Sequence, residues 1–269
     1  MKNFRYAFLF TILLVFAGAA LAQDKSGFCK SENWSNGDNV SANDLREVTI
    51  PQTSLLTVDG RQNGGISVKG ENRSDILIRA CVRAWGKDQQ KADAAVKNTR
   101  INTSGIIKAE NTSGDDKYSV SYQILVPRST NLKLTAMNGG VSIESVQGDM
   151  NFSTVNGGVK LSEVGGNVKG MTTNGGVKVN LSGSRWNGSG LDVQTTNGGV
   201  KLSLPSNFAA DIETGTVNGG LKSDFAELNP VKDKKERWRQ NKKVSASING
   251  GGPKIRVVTT NGGVKIDSN

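Results

Sequence analysis

The sequence predicts an all-β protein, a single β-solenoid built from stacked two-strand rungs with Asn-Gly-Gly corners. The triplet Asn-Gly-Gly occurs eight times, and the residues around it repeat too, in the form Thr-x-Asn-Gly-Gly-Val-Lys. Between the triplets, apolar and polar residues alternate, which is the period of a β-strand. Self-similarity at a nearly constant spacing is typical of stacked repeats. The triplets begin at Asn63, Asn138, Asn156, Asn174, Asn197, Asn218, Asn249 and Asn261.

One repeat, from Asn156 to Asn174, contains two short strands separated by two glycine corners. An alternating run over 159–164 stops at a Gly-Gly pair, and a second run over 167–173 leads to the next triplet. Asn and Gly suit corners because both tolerate positive φ. A meander of hairpins is the alternative, since Asn-Gly is also a strong hairpin-turn signal. Stacking is favoured because it places equivalent residues about 4.8 Å apart, and the flanking residues are the same in four of the eight copies. We expect regular repeats over 130–269.

Two segments depart from the β pattern. Residues 87–98 are predicted to form one short helix, because Ala92, Ala95 and Val96 make a narrow apolar stripe at helical spacing. Residues 224–246 are predicted to be a basic inserted loop, since charged residues replace the alternation there.

The first 22 residues are predicted to be a cleaved signal peptide. Lys2 and Arg5 precede an apolar run, and Ala20-Leu-Ala22 forms a small-x-small cleavage pattern. A membrane anchor is the alternative, but the run is short for a span. We therefore expect the mature chain, residues 23–269, to be one soluble domain outside the cytoplasm, either periplasmic or extracellular.

Cys29 and Cys81 are the only cysteines. Export implies an oxidising compartment, so they are predicted to form a disulfide that ties an N-terminal cap region, residues 23–46, to an early strand. A metal or redox pair is the alternative, which the wide separation and the lack of nearby ligands disfavour. The chain contains no histidine. This excludes Ser-His-Asp and Cys-His catalysis and histidine-ligated zinc. No cofactor is predicted.

Period-two alternation predicts a column of lysines on one face of the stack. The Val or Leu after each glycine pair should point inward, and the next residue should then point to water. Like charges on adjacent strands repel by roughly 0.5–1 kcal/mol, so an anionic polymer lying along them is one interpretation. The other is that the lysines only keep a β surface soluble. The column consists of Lys160, Lys178, Lys201, Lys222 and Lys265.

The basic loop is the second candidate site. A basic segment around one tryptophan suits anionic lipid headgroups or glycans. The alternative is a solvated loop whose tryptophan covers the edge of the core. The candidate residues are Lys234, Lys235, Arg237, Trp238, Arg239, Lys242 and Lys243.

Several segments resemble a known bacterial family. They are 125–143 with the Asn-Gly-Gly-Val-Lys units after it, the closing segment 247–266, and the opening segments 55–60 and 66–70. The family comprises exported β-strand-repeat proteins of unknown function, described as "putative adhesin". The resemblance covers roughly residues 47–269. It implies a β-solenoid outside the cytoplasm and no established catalysis, and it supplies no functional residues.

The expected function is non-enzymatic, either adhesion or an envelope or matrix scaffold through the repeated surface. The expected partners are a cell-surface or matrix polymer, an anionic glycan or lipid headgroups. One alternative is a dedicated binder of anionic polymers, namely acidic glycan, lipopolysaccharide or DNA. Another is a polysaccharide-active β-helix enzyme. The acids occur singly at non-equivalent positions, however, whereas a glycosidase needs a pair of carboxylates.

Overall fold

The computed structural model describes residues 27–29, 39–112, 117–229 and 242–269. The predicted signal peptide and most of the predicted basic loop lie outside these residues. Within them, no helix is long and apolar enough to span a membrane.

Two ten-stranded sheets make up almost all of the described chain, which confirms the all-β prediction. In spatial order, sheet A contains β1 (Val40–Pro51), β4 (Asp75–Gly86), β7 (Tyr118–Pro127), β3 (Ile66–Glu71), β9 (Val141–Glu144), β11 (Val159–Ser162), β13 (Val177–Asn180), β15 (Val200–Leu204), β20 (Val264–Ser268) and β17 (Leu221–Ser223).

Sheet B contains, listed from the opposite end of the stack, β18 (Lys242–Ile248), β16 (Ala210–Asn218), β19 (Lys254–Asn261), β14 (Gly190–Asn197), β12 (Gly165–Asn174), β10 (Gln147–Asn156), β8 (Asn131–Ala136), β2 (Leu55–Asp59), β6 (Ile106–Asn111) and β5 (Thr99–Asn102). A short 3₁₀ turn, η1 (Ala226–Leu228), follows β17.

From β8 to β17 the chain alternates between the sheets, and each sheet B strand with the sheet A strand after it forms one rung; β18 then adds to the edge of sheet B, and β19 with β20 forms the last rung. The β10, β12, β14 and β19 strands pair in parallel, as do β11, β13, β15 and β20. The result is a solenoid-like β fold. Inward side chains of both sheets form the core, and the predicted inner column of Leu161, Val179, Leu202 and Ile266 is completely buried.

The order of the rungs in space differs from their order in the chain. The last rung, β19 with β20, lies between the β14–β15 rung and the β16–β17 rung. The Cα register shows this insertion in both sheets, because β19 pairs in parallel with β14 on one side and β16 on the other. In sheet A, β20 likewise pairs with β15 and β17.

Antiparallel strands lie at one end of sheet A and at both ends of sheet B, whereas β17, the other edge of sheet A, pairs in parallel. In sheet A, β1 pairs with β4 and β4 with β7, and in sheet B β18 pairs with β16 and β5 with β6. Both sheets are therefore mixed rather than uniformly parallel.

The expected short helix is α1 (Gln89–Asn98). The Asp88 carboxylate accepts a hydrogen bond from the Lys91 backbone N–H at 2.8 Å, which caps the first turn. Ala92, Ala95 and Val96 are buried, as the apolar stripe predicts. The Arg46 guanidinium donates to the Val96 carbonyl at 2.7 Å and to the Thr99 carbonyl, so β1 satisfies the last carbonyls of the helix.

The predicted disulfide is confirmed. Cys29 is bonded to Cys81 of β4, with a Cα–Cα distance of 5.3 Å. Both cysteines are buried. The bond therefore fixes residues 27–29 against sheet A.

The Asn-Gly-Gly triplets are held by contacts between rungs. Seven of the eight lie between a sheet B strand and the following sheet A strand, whereas the triplet at Asn249 joins two sheet B strands. A Cβ added to the first glycine, as at Gly157 or Gly175, would lie 2.1 Å from the carbonyl oxygen of the first glycine in the rung before. Glycine is required there mainly by this close approach, since positive φ is found at only some triplet residues, such as Asn249.

Two further rows secure the same positions. Each buried threonine before a triplet donates its hydroxyl to the first-glycine carbonyl of the neighbouring rung, as Thr172 does to Gly157 at 2.7 Å. The asparagine amides form a ladder from rung to rung, as between Asn174 and Asn156 at 2.8 Å. The other ladder pairs are Asn138–Asn63, Asn156–Asn138, Asn197–Asn174, Asn261–Asn197 and Asn218–Asn261.

Candidate functional site

The five predicted lysines lie in one row across the outer face of sheet A, which we call the lysine column. Their strands are in register, so each lysine is the Cα partner of the next, and all five side chains are exposed. Neighbouring strands are about 4.8 Å apart, so the row is a closely spaced line of ammonium groups. Its order in space is Lys160, Lys178, Lys201, Lys265 and Lys222.

The column continues beyond Lys160 as polar, mostly uncharged side chains. Ser142 is the Cα partner of Lys160, and Ser67 is the partner of Ser142. Gln123 follows Ser67, and its side chain accepts a hydrogen bond from Arg79 at 2.6 Å. Three uncharged residues therefore separate Lys160 from the next cation of the row, Arg79, which is paired with Glu47.

The carboxylate of Asp267 forms ion pairs with two of the five lysines in the column. Asp267 lies 2.9 Å from the Lys201 ammonium and 2.7 Å from the Lys265 ammonium. The hydrogen bonds from Lys265 and Lys201 lower the pKa of Asp267. The hydrogen bond to Asp267 in turn raises the pKa of Lys265. Within the described residues, Lys160 and Lys178 have no carboxylate within ion-pair distance. Lys160 and Lys178 are therefore two adjacent lysines without an ion pair among the described residues, and Lys222 at the other end of the row is a third.

Sequence reasoning missed Asp267, although a signal was present. Asp267 follows Lys265 by two residues, and strand alternation places such residues on the same face. The corresponding residues on the neighbouring strands are the uncharged Ser162, Asn180 and Ser203. The copy at Lys222 has an acid at the same spacing, Asp224, whose carboxylate accepts a hydrogen bond from the Ser268 backbone N–H.

A groove lies beside the start of the lysine column. It has a volume of about 450 Å³, and its wall includes Phe28, Ser67, Ser142 and Lys160. The second glycines of successive triplets form its floor, at Gly65, Gly140 and Gly158. Phe28 is next to the disulfide-bonded Cys29, which holds this part of the chain against sheet A.

Of the predicted basic loop, residues 224–229 and 242–246 are described, and they contain η1 and the first part of the β18 strand rather than loop alone. Lys234, Lys235, Arg237, Trp238 and Arg239 lie outside the described residues. Lys242 and Lys243 are on β18, the edge strand of sheet B, and the Lys242 ammonium donates to the Gly219 carbonyl at 3.0 Å. These two lysines therefore lie on the other sheet from the lysine column.

Sheet B carries a separate row of paired charges. Arg256 of the inserted rung lies between two acids, 2.6 Å from Asp192 and 3.1 Å from Glu213. Lys254 contacts the second oxygen of Glu213 at 2.5 Å. The hydrogen bond from Lys254 is the largest cause of the lowered pKa of Glu213. A general acid requires a raised pKa, so the environment of Glu213 is the opposite of what acid catalysis needs.

A second cavity, of about 490 Å³, lies where β2 and β8 end. Its wall includes Asp59, Arg61 and Tyr118. The nearby Tyr122 hydroxyl is buried without a hydrogen-bond partner among the described residues, and burial raises its pKa. No group of three or more Cys, Asp or Glu residues within the described part of the chain could hold a metal ion.

Comparison with known proteins gives one family and several solved structures. The model of the Toastrack DUF4097 family matches residues 30–267. A "putative cell adhesion protein" from Clostridium sporogenes is 10% identical, with a TM-score of 0.42, over 84% of this chain and 100% of that chain. A "putative adhesin" from Bacteroides fragilis is 11% identical, with a TM-score of 0.32, over 83% and 97% of the two chains.

A third structure, a "putative lipid binding protein" from Parabacteroides distasonis, is 9% identical, with a TM-score of 0.28. It is matched over 84% of this chain and 96% of that chain. Among curated proteins, none matches this chain.

Proposed function

This chain belongs to the Toastrack DUF4097 family, and from that premise we propose that it is a non-enzymatic protein acting outside the cytoplasm. In this proposal it attaches to a cell-surface or matrix polymer, or serves as an envelope scaffold, through the outer face of sheet A. A cleaved signal peptide at residues 1–22 exports it, and residues 23–269 form the mature domain.

The stacked rungs suit attachment to an extended partner. The rungs form a single β-solenoid that turns at Asn-Gly-Gly corners, so each added rung repeats the same surface chemistry. The asparagine ladder and the close glycine contacts between rungs support this view, because they fix the rungs in one register. A rigid repeated face favours an extended partner over a compact one.

One observation carries the proposal, namely the unbroken register of the lysine column. Four Cα pairs, from Lys160–Lys178 to Lys265–Lys222, place like charges side by side on neighbouring strands. Such a row is unfavourable by itself, because like charges directly opposite destabilise a sheet. An anionic partner lying along the row would remove this repulsion.

Retention on immobilised polymers tests the proposal. The mature protein is applied to acidic and neutral polysaccharides at low and high salt, beside a variant with all five lysines changed to Gln. We expect the natural protein to be retained on the acidic polymer and the variant to lose retention together with its salt dependence. If neither protein is retained on any polymer, the attachment role is wrong.

A dedicated binder of anionic polymers is the second candidate function. Lys160 and Lys178, two adjacent lysines without an ion pair among the described residues, favour it. It would combine the lysine column with the basic loop, in which Arg237, Trp238 and Arg239 would supply further contacts. Salt separates the two functions, because a dedicated binder loses its retention at high salt, whereas a scaffold whose lysines supply only part of the contacts keeps some retention there.

A polysaccharide-active enzyme has no such support. Two acids on the outer face of sheet B, Asp192 and Glu213, pair with Arg256 and Lys254. Product release from a panel of polysaccharides would be the observation in its favour.

A further inference from the structure

We propose that the groove beside Phe28, together with Lys160 and Lys178, is a subsite for one acidic sugar unit of a linear polysaccharide. This inference rests on the proposed function, since it names the chemistry of the polymer that the lysine face would hold. It also assigns unequal roles to lysines that are equivalent in sequence.

The first argument is the distribution of charge. Lys201 and Lys265 share the Asp267 carboxylate at 2.9 and 2.7 Å, so part of their field is already balanced. Lys160 and Lys178 are two adjacent lysines outside this pair, on the side of the column that adjoins the groove. An anionic group is therefore attracted most strongly to the end of the column that adjoins the groove.

The second argument is the chemistry of the groove wall. Ser67, Ser121 and Ser142 are half-buried in it and can exchange hydrogen bonds with sugar hydroxyls. The glycine floor has no side chains, so a flat ring can approach the backbone closely. Phe28 adds an apolar surface for the C–H face of a sugar. A few polar groups on a mostly apolar wall are typical of small-molecule sites.

The third argument is the fixed position of the aromatic ring. Phe28 precedes Cys29, and the bond from Cys29 to Cys81 holds it against β4. The Asn43 side chain of β1 also donates to the Cys29 carbonyl at 2.7 Å, so the segment is held to sheet A at more than one point. The disulfide therefore helps to position one wall of the proposed subsite as well as stabilising the fold.

Nucleic acid and lipid suit this face less well. Binding of single-stranded nucleic acid relies on successive aromatic side chains on which bases stack, and the described lysine column is interleaved with none. A membrane surface requires exposed apolar side chains beside the basic ones. Met171 and Val155, two of the large exposed apolar residues, lie instead on β12 and β10 of sheet B.

Binding of single variants to polygalacturonate tests the subsite. We expect Lys160→Gln, Lys178→Gln and Phe28→Ala each to weaken binding roughly tenfold, because each removes a direct contact with the sugar. The matched control is Lys265→Gln, in the same column but already paired with Asp267, and it should change binding by less than about twofold. Asp267→Asn should strengthen binding, since it releases two lysines.

Each outcome distinguishes the subsite from the broader function. Equal losses for Lys160→Gln and Lys265→Gln, with Phe28→Ala unchanged, would overturn the subsite but leave attachment through general charge intact. Tighter binding to a single-stranded oligonucleotide or to phosphatidylglycerol vesicles would overturn the choice of an acidic sugar. Failure of the natural protein to bind any polymer would refute both. Unchanged thermal unfolding of Lys160→Gln ensures that a loss is not due to misfolding.

Discussion

At the scale of single residues, the two glycines of each triplet have different roles. A Cβ on Gly175, the first glycine of its triplet, would lie 2.1 Å from the Gly157 carbonyl oxygen. This distance is too short for any side chain. A Cβ on the second glycine, Gly176, would lie 3.4 Å from the nearest atom, the Gly199 carbonyl oxygen, which is an ordinary contact. The first glycine is therefore demanded by stacking, and the second is not.

The two glycines give a matched pair of substitutions. We expect Gly175→Ala to lower the free energy of unfolding by about 3 kcal/mol or more, because two rungs must separate to admit the methyl group. Gly176→Ala should change it by less than about 1 kcal/mol. Urea denaturation of both variants checks this. Similar losses at the two positions would mean that glycine is needed for some reason other than close stacking.

The buried threonines allow a second test at this scale. The Thr195 hydroxyl donates to the Gly175 carbonyl at 2.8 Å. Thr195→Val keeps the shape but leaves that carbonyl without its partner, so we expect a loss of about 1–3 kcal/mol in unfolding free energy. The exposed neighbour provides the control, since Thr196→Val should be nearly neutral. If the two variants unfold alike, the threonine row contributes no stability.

At the scale of elements, charge explains why the last rung is inserted. Asp192 and Glu213 occupy equivalent positions on β14 and β16, and Arg256 of β19 lies between them. If β16 paired directly with β14, the two carboxylates would be cross-strand neighbours and would repel each other. The inserted strand replaces that repulsion by two ion pairs. The order of the rungs is therefore favoured by electrostatics as well as by shape.

Replacing Arg256 should weaken the inserted rung. We expect Arg256→Gln to reduce the free energy of unfolding by about 1–2 kcal/mol, because two half-exposed carboxylates lose their shared partner. Hydrogen exchange of the β19 amides should accelerate in the same variant. Lys133→Gln, on the same face of sheet B, is the control and should leave both measurements unchanged. Equal effects of the two changes would contradict the electrostatic explanation.

Acid should act on the same element. Lys254 and Arg256 hold the pKa of Glu213 below its ordinary value of 4.5. A carboxylate with a depressed folded-state pKa stabilises the fold above its unfolded value, and this stabilisation is lost as the pH falls through the lowered value. Unfolding free energy should therefore fall more steeply below about pH 4.5 in the natural protein than in Glu213→Gln. Parallel pH profiles would show that Glu213 is not linked to stability.

At the scale of the whole molecule, the disulfide links the start of the described chain to the sheets. It joins residues 52 positions apart, and closing a loop of this length contributes about 4 kcal/mol in the chain-entropy model. Reduction should therefore lower the urea midpoint of the natural protein while its β-sheet circular dichroism persists under native conditions. A Cys29→Ala, Cys81→Ala double variant should not respond to reductant. A response in that variant would identify the effect as unspecific.

Much of the repeated part could be predicted from the sequence, because its signals are local. Alternation placed Leu161 inside and Lys160 outside, and helical spacing located α1. The order of the rungs could not be predicted, because the copies are nearly identical and any of them could stack on any other. The antiparallel pairing of β1, β4 and β7 lacks a repeat signal for the same reason, since strand partners are chosen by distant contacts.

The candidate site was predicted less completely than the fold. The lysine column follows from one repeated position, so its register could be inferred. The groove depends on Phe28, which a disulfide brings to sheet A from far away in the chain. The difference between paired and unpaired lysines depends on Asp267. Its contact with Lys201 exists only because the last rung is inserted beside β15.

Distances between spin labels in the lysine column test most directly whether the rungs stack as described. Labels are placed at cysteines replacing Lys201 and Lys265 in one variant, and Lys201 and Lys222 in another. Adjacent strands are about 4.8 Å apart, so the first backbone pair should be one strand spacing apart and the second two, about 10 Å. Stronger dipolar broadening for the 201–265 pair is the predicted result. Stronger broadening for the 201–222 pair would show that the rungs follow chain order and would contradict the account.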